Sequence, residues 1–168
     1  LSTLQNKGKQ IGSVWVQQRP HVTQKFSERP EVYKQFGMRG HNGLDFRASI
    51  GTPIFSPIEG KIRVINHGDK GYGLHIQIDK GNLRVILAHL SKVLIEDGQL
   101  VYFGQKIALS GNSGFSSAPH LHVTVKSMKD GKVVDSGNGY GGAYDFSNQM
   151  LTWKGTILNP DYGSNKNP

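Results

Sequence analysis

The stretch Leu74-His75-Ile76-Gln77-Ile78-Asp79-Lys80-Gly81-Asn82-Leu83-Arg84-Val85-Ile86-Leu87-Ala88-His89 decides the fold class. In its first arm Leu74, Ile76 and Ile78 alternate with His75 and Gln77, the period of a strand with one face buried. Its second arm, from Leu83 to Leu90, is a nearly continuous aliphatic run of strand length. Between them stands Asp79-Lys80-Gly81-Asn82, built from residues that tolerate the backbone angles of a tight turn. Two short strands joined in this way predict an antiparallel hairpin. Working outward, Lys61-Ile62-Arg63-Val64-Ile65, Gln105 to Leu109 and Leu121 to Lys126 repeat the pattern. Their boundaries are Gly60, His67-Gly68-Asp69, Asp97-Gly98, Phe103-Gly104 and Ser110-Gly111-Asn112. A further hairpin signal is Lys129-Asp130-Gly131-Lys132. No helical period persists over eleven residues, and only a short helical turn is expected around Glu28 to Gln35. The chain is therefore expected to be mostly β and antiparallel.

Composition narrows the chemistry. The 168 residues carry 20 Lys+Arg against 12 Asp+Glu, a formal charge of +8, with seven histidines and no cysteine. Without cysteine there is no disulfide scaffold, no thiolate zinc site and no cysteine nucleophile, so a metal would take histidine and carboxylate ligands. No apolar run approaches the roughly 18 residues of a membrane-spanning helix. The basic balance favours an anionic partner, whether nucleic acid, a membrane surface or a cell wall. No aromatic and basic interleaving of the nucleic-acid-binding kind is present. Residues 1–20 are polar and weakly patterned and read as a linker or leader, 21–163 as one domain, and 164–168 as a disordered tail. The opening LSTLQNKGKQ has no initiator Met and no apolar signal core, as in a mature form or a piece of something larger.

Four of the histidines fall in three turn-framed contexts. In Gly40-His41-Asn42-Gly43-Leu44-Asp45-Phe46 the glycines disfavour a helix, so a bent loop must bring imidazole and carboxylate together, a donor pair suited to zinc. In Pro119-His120-Leu121-His122-Val123 the histidines stand two apart and share one face of a strand. Both can ligate a metal, or one can ligate while the other works beside it. In Leu87-Ala88-His89-Leu90-Ser91 a histidine ends an apolar strand. Separately, Ser136 to Tyr144 is a glycine and tyrosine rich loop, in which Tyr140 and Tyr144 offer flat faces to a substrate.

The order His41-x-x-x-Asp45, Ala88-His89-Leu90-Ser91, then Gly111-Asn112-Ser113-Gly114 leading to Pro119-His120-Leu121-His122, resembles the lysostaphin/LytM-type zinc endopeptidases of bacterial cell walls. Connecting text agrees with it at Phe36-Gly37, Gly51-Thr52-Pro53-Ile54, Ser56-Pro57, Gly71-Tyr72-Gly73 and Asp97-Gly98-Gln99-Leu100-Val101, with Asn159-Pro160 near the end. The resemblance implies a two-layer, barrel-sandwich-like arrangement of antiparallel sheets with a loop-walled zinc groove. It assigns His41, Asp45 and His122 as ligands of one zinc ion, and His89 and His120 as catalytic residues that do not ligate. Two imidazoles and one carboxylate leave a fourth tetrahedral position for water, the mark of a catalytic rather than a structural site. The implied activity is hydrolysis of peptide bonds in peptidoglycan stems or cross-bridges, by a protein that is extracellular, envelope-bound or phage-borne.

Three departures from the family pattern stand out. Leu87 occupies a place usually held by tyrosine, Val123 one often held by an aromatic residue, and the loop from about 136 to 150 is long. The alternative is a non-catalytic endopeptidase-like domain that binds or regulates at the wall, although such domains usually lose a ligand and here all five positions are filled. Zinc peptidases of the D-alanyl-D-alanine type space their first pair differently, and a biotinyl-like carrier would leave the histidines idle. His21, His67 and His75 are expected to be ordinary surface or strand residues.

Overall fold

The computed structural model describes residues 21–147. The leader segment 1–20, the tail 164–168 and the Asn159-Pro160 element therefore lie outside the described residues. Among the described residues, eleven strands form two antiparallel sheets, with one short helix. The strands are β1 (Val22–Gln24), β2 (Leu44–Arg47), β3 (Pro53–Phe55), β4 (Gly60–Asn66), β5 (Leu74–Lys80), β6 (Leu83–Ala88), β7 (Leu90–Val93), β8 (Leu100–Val101), β9 (Lys106–Ser110), β10 (His120–Lys129) and β11 (Lys132–Val133). The larger sheet runs β1-β2-β10-β6-β5-β4-β8, with β11 paired to β10; the smaller runs β3-β9-β7. The larger sheet ends on different strands, so no closed barrel forms. Helix α1 (Pro30–Tyr33) continues into a 3-10 turn, Lys34–Phe36, where the sequence predicts its only helical turn.

The predicted hairpin is present, with Ile78 opposite Val85 and Lys80 opposite Leu83 across the turn at Gly81. The second hairpin closes with Lys129 opposite Lys132, and Asp130 and Gly131 both have positive φ, as a two-residue turn between twisted strands requires. Ile62, Ile76, Ile78, Val85, Leu87 and Val125 of the large sheet meet Ile54, Leu90, Ile107 and Ala108 of the small one in a single hydrophobic core. The apolar face of each sheet thus has the other to cover it, which is why the pattern folds as two layers.

One expectation needs correction. The run Leu83 to Leu90 reads as one strand, but it is broken at His89, whose φ is +62°. Beyond that residue Leu90–Val93 leaves the large sheet and pairs with β9 in the small one. A single left-handed residue thus moves the chain between layers. A non-glycine residue held there costs free energy, the kind of local strain that clusters at working sites.

Candidate active site

Strand β10 lies between β2 and β6, and its register places the histidines. His122 stands directly opposite Asp45 on one side and Ala88 on the other, so Asp45 and the His89 that follows Ala88 converge on one residue. Side chains directly opposite across a ladder come within about 5 Å at Cβ. His41 arrives from the loop before β2, where its N–H donates to the Glu28 carbonyl and its own carbonyl accepts from Ser27 N–H. The flanking glycines make that approach possible. A Cβ at Gly40 would sit 2.3 Å from the Ser27 carbonyl oxygen, and one at Gly43 2.1 Å from that of Val123. Only glycine lets the loop lie this close to its neighbours.

Three donor atoms meet at the centre. His122 Nδ1 lies 2.9 Å from Asp45 Oδ1 and 3.0 Å from His41 Nε2, and His41 Nε2 lies 3.1 Å from Asp45 Oδ1. All three residues are buried. Tetrahedral zinc, bonded at 2.0–2.2 Å, separates its ligand atoms by roughly 3.3 Å, so this triangle fits the ion with shifts of a few tenths of an ångström. Burial would raise the Asp45 carboxyl pKa, but hydrogen bonds from His122 and His41 outweigh it and hold the carboxyl well below its usual range. The ionised form is the one a metal needs.

Each of the two imidazoles in the triangle has its other nitrogen engaged. His41 Nδ1 is 3.1 Å from the Lys25 carbonyl oxygen, which leaves Nε2 with the free lone pair. His122 is held through the opposite nitrogen, with Nε2 2.5 Å from Thr124 Oγ1 and Nδ1 facing the centre. Thr124 Oγ1 donates in turn to Asn42 Oδ1 at 3.3 Å, and Asn42 Nδ2 donates to the Tyr72 hydroxyl at 2.8 Å. The Tyr72 ring is stacked on His122, with centroids 5.5 Å apart. Outer partners of this kind fix the tautomer and orientation of a ligating histidine.

The two remaining histidines stand beside the centre. His120 Nδ1 donates to the Ala118 carbonyl at 2.8 Å, and its Nε2 is 3.5 Å from Asp45 Oδ2. His89 Nδ1 donates to the Ser113 carbonyl at 2.7 Å, and its ring lies 4.7 Å from that of His120. Burial, reinforced by His122 and His120, pushes the His89 pKa down to about 3 against the opposing Ser113 bond. His89 is therefore neutral at physiological pH, with Nε2 as an acceptor. All five residues line a groove of about 970 Å³.

The tyrosines separate. Tyr140 lines this groove, with its ring against Phe26 at 4.5 Å. Tyr144 does not reach it. Its side chain is fully buried in the core beside Phe146, and its backbone N–H donates to the Val125 carbonyl, so the loop after Ser136 is pinned to β10 by the residue expected to contact substrate. His75 is a strand residue, as expected, but a buried one. Leu87, in the place the family gives to tyrosine, is core.

Sequence reasoning missed Asn42, Tyr72, Thr124 and Tyr33, whose ring is 5.2 Å from that of His41. Only Thr124 had a signal, since it follows His122 by two on the same strand face. Asn42 and Tyr72 meet the site through loops whose folding no local pattern reveals, and Tyr33 sits at the end of α1, where nothing local shows that its ring reaches His41.

Comparison with known proteins agrees with this geometry. Residues 39–136, more than half of the chain, match Peptidase family M23. The peptidoglycan DD-endopeptidase ShyB of Vibrio cholerae is 41% identical over 86 residues, covering 51% of this chain and 20% of that protein. A zinc containing peptidase from Vibrio cholerae superposes with a TM-score of 0.62 at 30% identity, over 79% of this chain and 38% of that one. The antimicrobial peptidase lysostaphin from Staphylococcus simulans does so with a TM-score of 0.62 at 28% identity, over 80% and 49% of the two chains. The chain spans about a quarter or less of the length of the curated relatives it matches first. With the motifs in order, the sheets superposed and the histidine and aspartate donors converged, this chain belongs to peptidase family M23.

Proposed function

We propose that this protein is a zinc-dependent endopeptidase that hydrolyses peptide bonds in the stem peptides or cross-bridges of peptidoglycan. The observation that carries the reading is the convergence of His41 Nε2, Asp45 Oδ1 and His122 Nδ1 to within 3.1 Å in a groove that also holds two non-ligating histidines. These three residues would hold the ion and leave a position open, as catalytic sites do. When bound, zinc supplies Lewis acidity, which polarises a carbonyl and acidifies water.

The chain's own residues handle the protons. His120 has its Nδ1–H tied to the Ala118 carbonyl, so Nε2 is the nitrogen free to take a proton from the attacking water. The Asp45 carboxylate at 3.5 Å stabilises the imidazolium so formed, which then returns the proton to the leaving amine. His89 is a poorer base because burial keeps it neutral, and its Nε2 orients water or the amine by accepting a hydrogen bond. Tyr140, on the groove wall, is a substrate contact in this reading.

The substrate class rests on relatives such as the peptidoglycan DD-endopeptidase of Vibrio cholerae. The charge of +8 suits an anionic wall, which supports a site of action at the cell envelope. No helix among the described residues is long and apolar enough to cross a membrane. Elemental analysis and a turbidity assay on purified walls test the proposal. It expects about one zinc per chain, and clearing that stops on chelation and resumes when zinc is restored. A protein that binds walls and zinc yet never clears them would instead be the non-catalytic, wall-binding domain.

A further inference from the structure

We propose that Lys126 forms a subsite for a carboxylate of the peptide substrate and so helps to decide which peptides the groove accepts. This rests on the peptidase reading above. Strand β10 presents His120, His122, Thr124 and Lys126 to one face, and its pairing with β6 is unbroken from His122 opposite Ala88 to Ser127 opposite Leu83. At about 3.4 Å per residue, Lys126 stands about 14 Å along the strand from His122, the span of about four residues of extended peptide. It lines the same groove as the histidines.

Among the described residues, no side chain pairs with this cation. Directly opposite Lys126 on β6 is Arg84, a like-charge pair that disfavours the ladder. Arg84 is satisfied by Asp79, which accepts from Nε at 2.8 Å and from Nη2 at 2.9 Å. Lys126 is half-buried and, among the described residues, makes no hydrogen bond or ion pair through its ammonium. Burial and the Arg84 charge push its pKa down, against a weaker pull from Asp135. Asp135 lines the groove too, but its Oδ1 accepts from the Gly137 N–H at 2.9 Å, and it is too distant to form a salt bridge. A partly desolvated cation without a bonded counter-charge is unfavourable until an anion arrives.

The neighbouring Asp135 selects among anions. It repels a multiply charged phosphate more than a single carboxylate, and it tolerates a carboxylate that carries an ammonium group nearby. Peptide carboxylates are singly charged anions, and they come from two sources, the C-terminus and acidic side chains.

The test uses soluble cross-linked muropeptides, prepared native and with their carboxylates converted to amides. Equilibrium binding is measured on the zinc-loaded His120→Ala protein, in which turnover is slow, alone and combined with Lys126→Met or Lys126→Arg. The proposal expects amidation to weaken binding about tenfold in the Lys126 background, in keeping with the loss of one charge-assisted hydrogen bond. It expects Lys126→Met to bind both pools at the weaker level and Lys126→Arg to restore the preference. Pools amidated only at the C-terminus or only at side chains identify the carboxylate read. Equal binding of the two pools by the Lys126 protein, binding of neither, or an undiminished preference in Lys126→Met would overturn the subsite. Carboxylate preference in a protein that otherwise never cleaves a wall would instead overturn the peptidase reading alone.

Discussion

Replacing Thr124 by valine probes the outer partners of the proposed metal centre with little change in shape. Thr124 is fully buried, and its Oγ1 takes the His122 Nε2–H at 2.5 Å and gives its own hydrogen to Asn42 at 3.3 Å. Valine keeps the volume and removes both bonds, so the loss is polar and no cavity forms. An imidazole N–H left buried without an acceptor costs about 1–3 kcal/mol. Part of that cost is avoided if His122 moves its proton to Nδ1, but Nδ1 is the nitrogen that must keep a lone pair for the metal. Either way the penalty falls on the ligating tautomer, and zinc affinity should drop by about 10- to 100-fold, equivalent to roughly 1.4–2.7 kcal/mol. Chelator competition reads the affinity, and nitrogen chemical shifts of the His122 ring read the tautomer. Thr124→Ser, which keeps the hydroxyl, should recover most of the loss. An unchanged affinity in Thr124→Val, with an unchanged tautomer, would refute the claim that this network orients the ligand.

Other expectations follow from the same geometry. His120→Ala should keep about one zinc per chain while turnover falls by roughly 10² or more. Asp45→Ala should lose zinc first, and a zinc-free His120→Ala or a zinc-replete Asp45→Ala would reverse the assignments. His75 is buried in β5, and burial, with His67 and Arg63 adding repulsion, lowers its pKa against the bond to the Gly73 carbonyl. The unfolded chain binds that proton more readily, so the contribution of His75 to stability is complete above about pH 6.5 and is lost as pH falls toward its lowered folded value, by up to about 1.4 kcal/mol per pH unit. Denaturant unfolding of wild type and His75→Phe across that window would show a shallower acid slope in the variant. Raised salt should weaken binding to whole walls, by screening the charge of +8, while leaving hydrolysis of a short neutral peptide nearly unchanged. Equal salt sensitivity of both would remove charge from the account of wall attraction.

Much of the site is legible because β structure makes sequence spacing geometric. His120 and His122 share a face because they are two apart, and the turn signal between Leu74 and Leu83 marks a hairpin that the structure contains. The position of His89 was readable, but not its role in dividing a strand, because the left-handed conformation is imposed by contacts such as its N–H bond to the Tyr72 carbonyl. Tyr144 misled for a related reason. The glycines that precede it suggest a surface loop, whereas Ala143 bridges to Lys126 and carries Tyr144 into the core. The Asn42, Tyr72 and Thr124 network joins residues 30 and 82 positions apart, and beyond the shared strand face of Thr124 and His122 nothing local announces the contact.

The central claim is that His41, Asp45 and His122 hold a metal that makes this groove a peptidase of the bacterial wall. Mass spectrometry of the fragments released from purified peptidoglycan tests it most directly, with wild type, Asp45→Ala and the chelated protein run side by side. The account predicts fragments with newly exposed peptide termini and intact glycan from the zinc-loaded wild type, and none from the other two. Release that survives both chelation and Asp45→Ala, or cleavage confined to the glycan, would contradict it.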